Sequence, residues 1–255
     1  MSASCWGVVV AAGRGERFGG DRPKALHELA GTALVVHAAR ALRDGGCDGV
    51  VVAAPSDLVS VVAGLLAESG LALGGSPATS TESGGADDGS LGAPPVIVVE
   101  GGATRLASVS AALAAVPVGT RWVLIHDAAR PLVPAAVVVS VLSALTEGAP
   151  AVIPVLPVAD TLKSVDAAGQ ITATVDRTDV RRAQTPQGFE RDLLVKALDE
   201  CGRSGHEVTD DAAAVAALGV PVLTVPGDER GFKITTPADS VLAEALLATS
   251  TPKPS

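Results

Sequence analysis

The sequence predicts an α/β protein built on a doubly wound, mostly parallel sheet, and three observations support this prediction. Runs rich in Val and Ile recur along the 255 residues. They are continuously apolar rather than alternating, which is typical of strands buried on both faces of a sheet. Stretches with helical periodicity lie between them, so that strand and helix alternate. Finally, 47% of the residues are hydrophobic, which is enough for a substantial core. We therefore expect ligands at the carboxyl ends of the strands.

Six strands and six helices are expected within one domain that covers residues 1–247, followed by a disordered tail at 248–255. The strands are expected at 7–12, 49–54, 95–100, 121–126, 151–154 and 220–225. The helices are expected at 33–44, 57–69, 105–115, 134–147, 190–201 and 210–218.

Two internal segments interrupt this alternation. Residues 74–95 are rich in Gly, Ser, Thr, Pro and Asp and lack apolar periodicity, so we expect a solvated, disordered insertion. Residues 157–182 contain two short β-prone runs, 161–165 and 171–175, on either side of a turn with a glycine. This pattern predicts a protruding hairpin arm. Because a two-stranded ribbon is marginal alone in water, we expect the arm to pack against a second copy of the chain.

Composition and charge exclude several classes of function. The chain has 19 basic and 28 acidic residues, a net charge of −9 at pH 7, which argues against sequence-independent binding to nucleic acid or to an anionic membrane. Aromatic residues make up only 2%, so platforms for stacking bases are nearly absent. Cys5, Cys47 and Cys201 are too widely spaced to indicate a disulfide framework or a zinc site. With no signal peptide and no apolar run of about 18 residues, we expect a cytoplasmic protein.

A glycine-rich, basic loop follows the first predicted strand. Phe18 stands where the dinucleotide-binding fingerprint needs its third glycine, and no Gly-Lys-Ser/Thr is in register for a P-loop, so both motifs are excluded. Gly13 and Gly15 would let backbone N–H groups approach an anion. The loop also carries four cations, Arg14, Arg17, Arg22 and Lys24. A polyphosphate ligand fits this pattern, although a solvated charged loop has a similar composition.

Motifs spread along the chain together resemble one enzyme family. They are AAGRGERF with PK at 11–24, GGATRLASV at 101–109, HDAARP at 126–131, DTLK at 160–163, VDR at 175–177, QTPQ at 184–187, TDDA at 209–212 and FKIT at 232–235. Over roughly residues 6–245, this order and spacing is similar to that of the 2-C-methyl-D-erythritol 4-phosphate cytidylyltransferases, nucleotidyltransferases of the non-mevalonate isoprenoid pathway. The chain departs from the family in its long insertion and at Ala103, where a polar or acidic residue near the cytosine is expected.

The resemblance implies a Rossmann-like nucleotidyltransferase fold, CTP and 2-C-methyl-D-erythritol 4-phosphate as substrates, Mg²⁺ as cofactor and a homodimer formed through the arm. It implies catalytic roles for Arg17, Lys24, Asp127 and Lys233, with Asp127 also a candidate metal contact. It implies acceptor binding by Arg130, Thr161, Arg177, Thr185 and Thr209, of which Thr161 and Arg177 would reach into the neighbouring subunit. The nucleotide is expected at Ala11, Ala12, Gly13, Gly15, Gly102 and Ser108.

The chemistry of single residues agrees with this interpretation. An acceptor phosphate is already ionised near pH 7, so no general base is needed. Asp127 ends a predicted strand, where this architecture places ligands, although a helix cap or a salt bridge would also explain it. Lys233 lies between two apolar residues, which is an awkward position for a cation in a buried strand unless it meets an anion, so we expect it to bind phosphate. His126 is expected to be a packed core imidazole.

Three other functions are compatible with parts of the sequence. A nucleotidyltransferase that acts on another polyol or sugar phosphate, such as ribitol 5-phosphate, would share most of the motifs. A nucleotide-binding protein without catalysis is disfavoured by the intact set of cationic site residues. A dinucleotide-dependent oxidoreductase is disfavoured by Phe18 in place of glycine.

Overall fold

The computed structural model describes residues 4–13, 23–74, 94–204 and 208–250. Its strands are β1 (Cys5–Val10), β2 (Glu28–Leu29), β3 (Thr32–Ala33), β4 (Gly49–Ala54), β5 (Val96–Glu100), β6 (Trp122–Asp127), β7 (Ala151–Pro157), β8 (Leu162–Val165), β9 (Ile171–Val175), β10 (Arg181–Ala183), β11 (Gln187–Glu190) and β12 (Leu223–Pro226). Its helices are α1 (Leu34–Asp44), α2 (Val59–Glu68), α3 (Arg105–Ala115), α4 (Ala135–Thr146), α5 (Arg191–Ser204), α6 (Asp211–Ala217) and α7 (Pro237–Ser250).

Among the described residues, eight strands form the central sheet, in the order β10-β7-β11-β6-β1-β4-β5, with β12 paired to β7. The pairings of β1 with β4 and β6, of β4 with β5 and of β12 with β7 are parallel, whereas β11 and β10 run antiparallel to their neighbours. Helices cover both faces: α1, α2 and α4 pack on one, and α3, α5 and α6 pack on the other. The predicted doubly wound, mostly parallel sheet is confirmed.

The local predictions succeed where the strands are wholly apolar. Strand β4 and helix α3 have the predicted bounds, and the other predicted elements are present with ends shifted by a few residues. Strand β4 is buried along its whole length, as a continuous run of Val and Ala predicts. Helix α3 begins directly after Thr104, whose Oγ1 accepts the N–H of Ala107 at 3.1 Å and so caps the helix.

Helix α7 is absent from the sequence-based prediction, and it corrects the predicted tail. The helix runs from Pro237 to Ser250, so a tail that begins at 248 is wrong for its first three residues; residues 251–255 lie outside the described part of the chain. The helix is fixed because Ala243 and Leu247, one turn apart, pack with Leu29 and Ile234 in a small separate core. The short strands β2, β3, β10 and β11 were also not predicted.

The predicted hairpin arm is present as β8 and β9. These strands pair antiparallel, with Leu162 opposite Val175, and among the described residues they pair with no other strand. Asp166 closes the turn, since its Oδ1 accepts the N–H groups of Ala168 and Gln170, both at 2.9 Å. The arm leaves Ile171 66% exposed. This apolar surface is the reason to expect a protein partner there.

The predicted insertion is described only at its edges, because residues 75–93 lie outside the described part of the chain. At those edges the N–H of Gly74 donates to the carbonyl of Val96 at 2.9 Å, and the N–H of Val96 donates to the carbonyl of Ala72 at 2.8 Å. In the four described ranges, no helix is long and apolar enough to cross a membrane.

Candidate active site

A cavity of about 440 Å³ opens where β1 and β6 end, and we call it the strand-end cavity. The segments that follow β1, β5 and β6 form its walls, together with a short 3-10 turn at Lys24–Leu26 and the loop before α7. Eight of the predicted site residues line it: Ala11, Ala12, Gly13, Lys24, Gly102, Ser108, Asp127 and Lys233. This position at the carboxyl ends of parallel strands is the one that the fold class predicts for a ligand.

The predicted phosphate-binding loop is described only at its two ends. Arg17 and Gly15 lie outside the described residues, as do Arg14 and Arg22. Gly13 and Lys24, which flank this loop, both line the strand-end cavity. The two ends of the loop therefore meet at the same cavity.

Gly102 and Ser108 hold one wall of the cavity close to α3. A Cβ on Gly102 would lie 2.4 Å from the Cβ of Ala107, so any larger residue would push the wall away from the helix. Ser108 is 1% exposed; its hydroxyl donates to the carbonyl of Thr104 at 2.8 Å, and the carbonyl of Gly102 lies 3.2 Å from the same oxygen. Since the single hydroxyl proton is engaged, the oxygen of Ser108 is left as an acceptor.

Three cationic side chains surround the carboxylate of Asp127 at the cavity. Its Oδ2 accepts from Lys233 Nζ at 2.8 Å and lies 3.8 Å from Arg130 Nε, while its Oδ1 lies 3.6 Å from Arg105 Nε. Burial of the carboxyl group raises its pKa, but the charges of Lys233, Arg105 and Arg130 outweigh burial and lower the pKa to about 2. Asp127 is therefore a fully ionised carboxylate at neutral pH.

The position of Lys233 corrects one expectation. The segment around Lys233 is irregular rather than a buried strand, and its side chain is 44% exposed. The anion that its Nζ contacts, at 2.8 Å, is the carboxylate of Asp127, and binding of phosphate by Lys233 stays a prediction. A long, half-exposed side chain on this loop can still leave the carboxylate for a bound ligand.

Behind Asp127, three residues fix the backbone in a buried network. His126 is fully buried, and burial lowers its pKa to about 4, so the imidazole is neutral at pH 7, as expected for a packed core residue. Its Nε2 donates to the carbonyl of Arg130 at 3.2 Å, which leaves Nδ1 to accept from the hydroxyl of Thr185 at 2.8 Å. The oxygen of Thr185 in turn accepts the N–H of Asp127 at 3.1 Å. The position of the catalytic candidate Asp127 is thus determined from inside the core.

The five predicted acceptor-binding residues lie outside the lining of the strand-end cavity. Arg130 donates to the carbonyls of Gly231 at 2.7 Å and Ala183 at 3.3 Å, and Thr185 is occupied in the buried network. Arg177 donates to the carbonyls of Val158 and Ala159 at the base of the arm.

Thr161 and Thr209 are both exposed. Thr209 directly precedes Asp210, the residue that caps α6. Binding of the acceptor by these five residues stays a prediction.

Two charged residues near the cavity were not singled out from the sequence. Arg105 lines the cavity and donates from Nη2 to Asp211 Oδ2 at 2.7 Å. Burial disfavours the charged guanidinium, but Asp211 and Asp127 outweigh it and raise the pKa of Arg105. One local signal was available: a cation in the first turn of a helix opposes the helix dipole and therefore needs a carboxylate partner.

The residues of the cavity fit a magnesium ion that arrives with a nucleotide. Within the described ranges there is no group of three or more His, Cys, Asp or Glu side chains that could form a metal site of its own. Asp127 is the one carboxylate among the described residues that line the cavity. One carboxylate together with phosphate oxygens is the usual way in which proteins hold this ion.

Comparison with known proteins identifies the family. The model of the family described as 2-C-methyl-D-erythritol 4-phosphate cytidylyltransferase (IspD) matches residues 5–249. The chain belongs to this cytidylyltransferase family. The protein of that name from Frankia casuarinae is 47% identical over 248 residues, which cover 96% of this chain and 82% of the relative. That from Saccharopolyspora erythraea is also 47% identical and covers 94% and 98% of the two chains.

Solved structures of the same cytidylyltransferase family agree with this assignment. The crystal structure of 2-C-methyl-D-erythritol 4-phosphate cytidylyltransferase from Thermus thermophilus matches with a TM-score of 0.70 and 36% identity, over 97% of this chain and all of that one. As a member of the family, the chain is a nucleotidyltransferase, as the motifs predicted.

Proposed function

We propose that this chain transfers the cytidylyl group of CTP to 2-C-methyl-D-erythritol 4-phosphate, giving 4-diphosphocytidyl-2-C-methyl-D-erythritol and pyrophosphate. The family match over residues 5–249 supports the reaction and the substrate pair. The strand-end cavity supports the location of the reaction: in a chain with a net charge of −9, Lys24 and Lys233 both line this cavity. Such a local concentration of cations is what two polyanionic reactants require.

The mechanism that we propose is an in-line displacement at phosphorus. An oxygen of the acceptor phosphate forms a bond to the α-phosphorus of CTP, and the bond from that phosphorus to the bridging oxygen breaks, so that pyrophosphate leaves with the electron pair. Arg17 and Lys24 stabilise the triphosphate and the charge that develops on it. Lys233 leaves Asp127 and meets the acceptor phosphate. No side chain has to remove a proton, since the attacking oxygen is already ionised.

Mg²⁺ is the cofactor that we propose. When bound, it neutralises charge on the phosphate oxygens of CTP. Asp127 would hold it, because its carboxylate is ionised and lines the same cavity as Lys24.

The nucleotide base is proposed to lie against Ala11, Ala12, Gly13 and Gly102, with Gly15 on the phosphate side. Ser108 supports a preference for cytosine over uracil. Its oxygen is left as an acceptor, which can pair with the amino group of cytosine but not with the carbonyl oxygen that uracil has at the same position. Ala103 lines this part of the cavity and adds no polar side chain to the recognition.

The acceptor is proposed to be bound with help from a second subunit. Arg130, Thr185 and Thr209 would contact it from the same chain, and Thr161 and Arg177 would reach it from the arm of the partner in a homodimer. The exposed apolar residues of the arm, among them Val165 at 59% and Ile171 at 66% exposure, support a protein surface there. The three buried, free cysteines suit the reducing cytoplasm in which we place the enzyme.

A shared site predicts that activity depends on dimerisation. On dilution, specific activity should fall in parallel with the dimer fraction measured by analytical ultracentrifugation. An Ile171→Asp variant, which places a charge on the exposed face of the arm, should shift both curves to higher concentration. Full specific activity in a species demonstrated to be monomeric would refute the shared site.

The reaction itself is tested by a substrate panel. Pyrophosphate release is measured with 2-C-methyl-D-erythritol 4-phosphate and Mg²⁺ in the presence of CTP, UTP, ATP or GTP, and with CTP in the presence of ribitol 5-phosphate. We expect turnover with CTP and the methylerythritol phosphate to exceed every other pair by at least about tenfold, the discrimination that one differential hydrogen bond provides. Faster release with ribitol 5-phosphate would replace the proposed acceptor with that one.

A further inference from the structure

Asp211 is a buried carboxylate for which the mechanism above has no use. It is the first residue of α6, it is 1% exposed, and it accepts from Arg105 Nη2 at 2.7 Å. A buried charge of this kind is costly unless it is paired. Arg105 is its partner, and the question is what this pair does for the cavity.

The start of α6 is fixed firmly enough for Asp211 to act as an anchor. Asp210 caps the helix, with Oδ1 accepting the N–H of Ala213 at 2.9 Å. Gln187 of β11 donates to the other oxygen of Asp210 at 2.9 Å and accepts the N–H of Ala212 at 3.1 Å. The side chains of Gln187 and Asp210 therefore hold the first turn of α6, and with it Asp211, against the central sheet.

Arg105 connects this anchor to the cavity. Its guanidinium donates to Asp211 from Nη2, and its Nε lies 3.6 Å from Oδ1 of Asp127. The two oxygens of Asp127 are thereby divided: Oδ1 faces Arg105, and Oδ2 faces Lys233. A guanidinium presents several donors in a rigid plane and so can hold two carboxylates at once.

The cations around Asp127 differ in their freedom to move. Lys233 is 44% exposed on a flexible side chain, and it is the group that we propose to leave for the acceptor phosphate. Arg130 donates from its Nη atoms to the carbonyls of Gly231 and Ala183 rather than to a second carboxylate. Within the part of the chain that the structure describes, Arg105 alone of the three is fixed by a second carboxylate, so it can stay beside Asp127 after Lys233 has moved.

We propose that Arg105, anchored by Asp211, is a positioning residue that holds the carboxylate of Asp127 in its working orientation once Lys233 turns to the acceptor phosphate. This inference rests on the proposed function. Arg105 would influence turnover by holding Asp127, and Asp211 would influence it by holding Arg105. Neither residue would contact the triphosphate.

The test compares Arg105→Gln with Arg191→Gln. Arg191 is the matched control because it is also the first residue of a helix, α5, and is similarly exposed, at 24% against 31%, but lies outside the cavity lining. We expect Arg105→Gln to lower turnover roughly tenfold, in the range of coupled neighbours, with the KM for CTP unchanged within a factor of about two. Arg191→Gln should leave turnover unchanged. An equal loss in both variants, or a large rise in the KM for CTP in Arg105→Gln, would overturn the proposal.

A double-mutant cycle separates positioning from a general structural role. In an Asp127→Asn background, Arg105→Gln should cost less than about twofold, because the group that it positions is already gone. A loss that stays tenfold in that background would show that Arg105 acts on something other than Asp127. If Asp127→Asn does not fold, the cycle is run with Asp211→Asn, where the same non-additivity is expected and additivity would refute the anchor.

Activity of the wild-type enzyme distinguishes failure of the proposed function from failure of the role proposed for Arg105 and Asp211. No pyrophosphate release by wild type with CTP and 2-C-methyl-D-erythritol 4-phosphate refutes the proposed function. An active wild type with additive losses refutes only the role of Arg105 and Asp211.

Discussion

Lys24→Ala should lower turnover by about 10²–10³-fold, the loss that follows when one fixed donor to a developing negative charge is removed. Lys24 begins a short 3-10 turn that is held by the N–H of His27 donating to its carbonyl at 3.0 Å, and the residue lines the strand-end cavity. The backbone hydrogen bond of the turn and the buried Ala25 beside it stay in place when the side chain of Lys24 is shortened. The fold should therefore persist.

The measurement is steady-state pyrophosphate release, with the thermal midpoint as a check on folding. Lys196→Ala is the matched control, since Lys196 is exposed on α5 and lies outside the cavity. We expect the control to keep wild-type turnover. A Lys24→Ala enzyme with turnover within about threefold of wild type would remove Lys24 from the mechanism.

The fold could be predicted from the sequence because its main elements are specified locally. Strand β4 is six consecutive Val, Ala and Gly residues, all buried, and no amphipathic pattern competes with a strand buried on both faces. Helix α3 carries its own start signal in Thr104. Helix α7 was not predicted, although it starts with a proline, a favoured first residue; only its last three residues fall in the Ser- and Pro-rich end that suggested disorder.

Topology alone predicts a residue of the site only where that residue stands next to a strand end. Asp127 and Gly102 lie at or just after the ends of their strands, so topology alone places them at the cavity. The pairs that determine its electrostatics are not local: Arg105 and Asp211 are 106 residues apart, as are Asp127 and Lys233. No periodicity connects such residues, so the sequence did not predict that Lys233 pairs with the carboxylate of Asp127. Pairing of this kind depends on tertiary packing, which a local pattern does not encode.

Asp127→Asn should be the most damaging single substitution in the cavity for both activity and stability. Asn keeps the size of the side chain and removes the charge, so Lys233, Arg105 and Arg130 are left around a neutral group at 2.8, 3.6 and 3.8 Å. Turnover should fall by at least about 10²-fold because the proposed contact with Mg²⁺ weakens and the cations repel each other. The free energy of unfolding should fall by about 2–3 kcal/mol, below the range for fully buried pairs because Lys233 is half exposed.

The pH dependence of that loss identifies the carboxylate as its cause. The native pKa of Asp127 is about 2 against 3.8 for the unfolded chain, so its ionisation stabilises the fold by about 2 kcal/mol above pH 4, and this contribution disappears as the pH falls from 4 to 2. The difference in unfolding free energy between wild type and Asp127→Asn, measured by urea denaturation, should accordingly be largest at pH 5–7 and shrink below pH 4. A difference that stays constant down to pH 2 would mean that the variant is destabilised by altered packing or hydrogen bonding. In that case the three cations would contribute little to holding this site together.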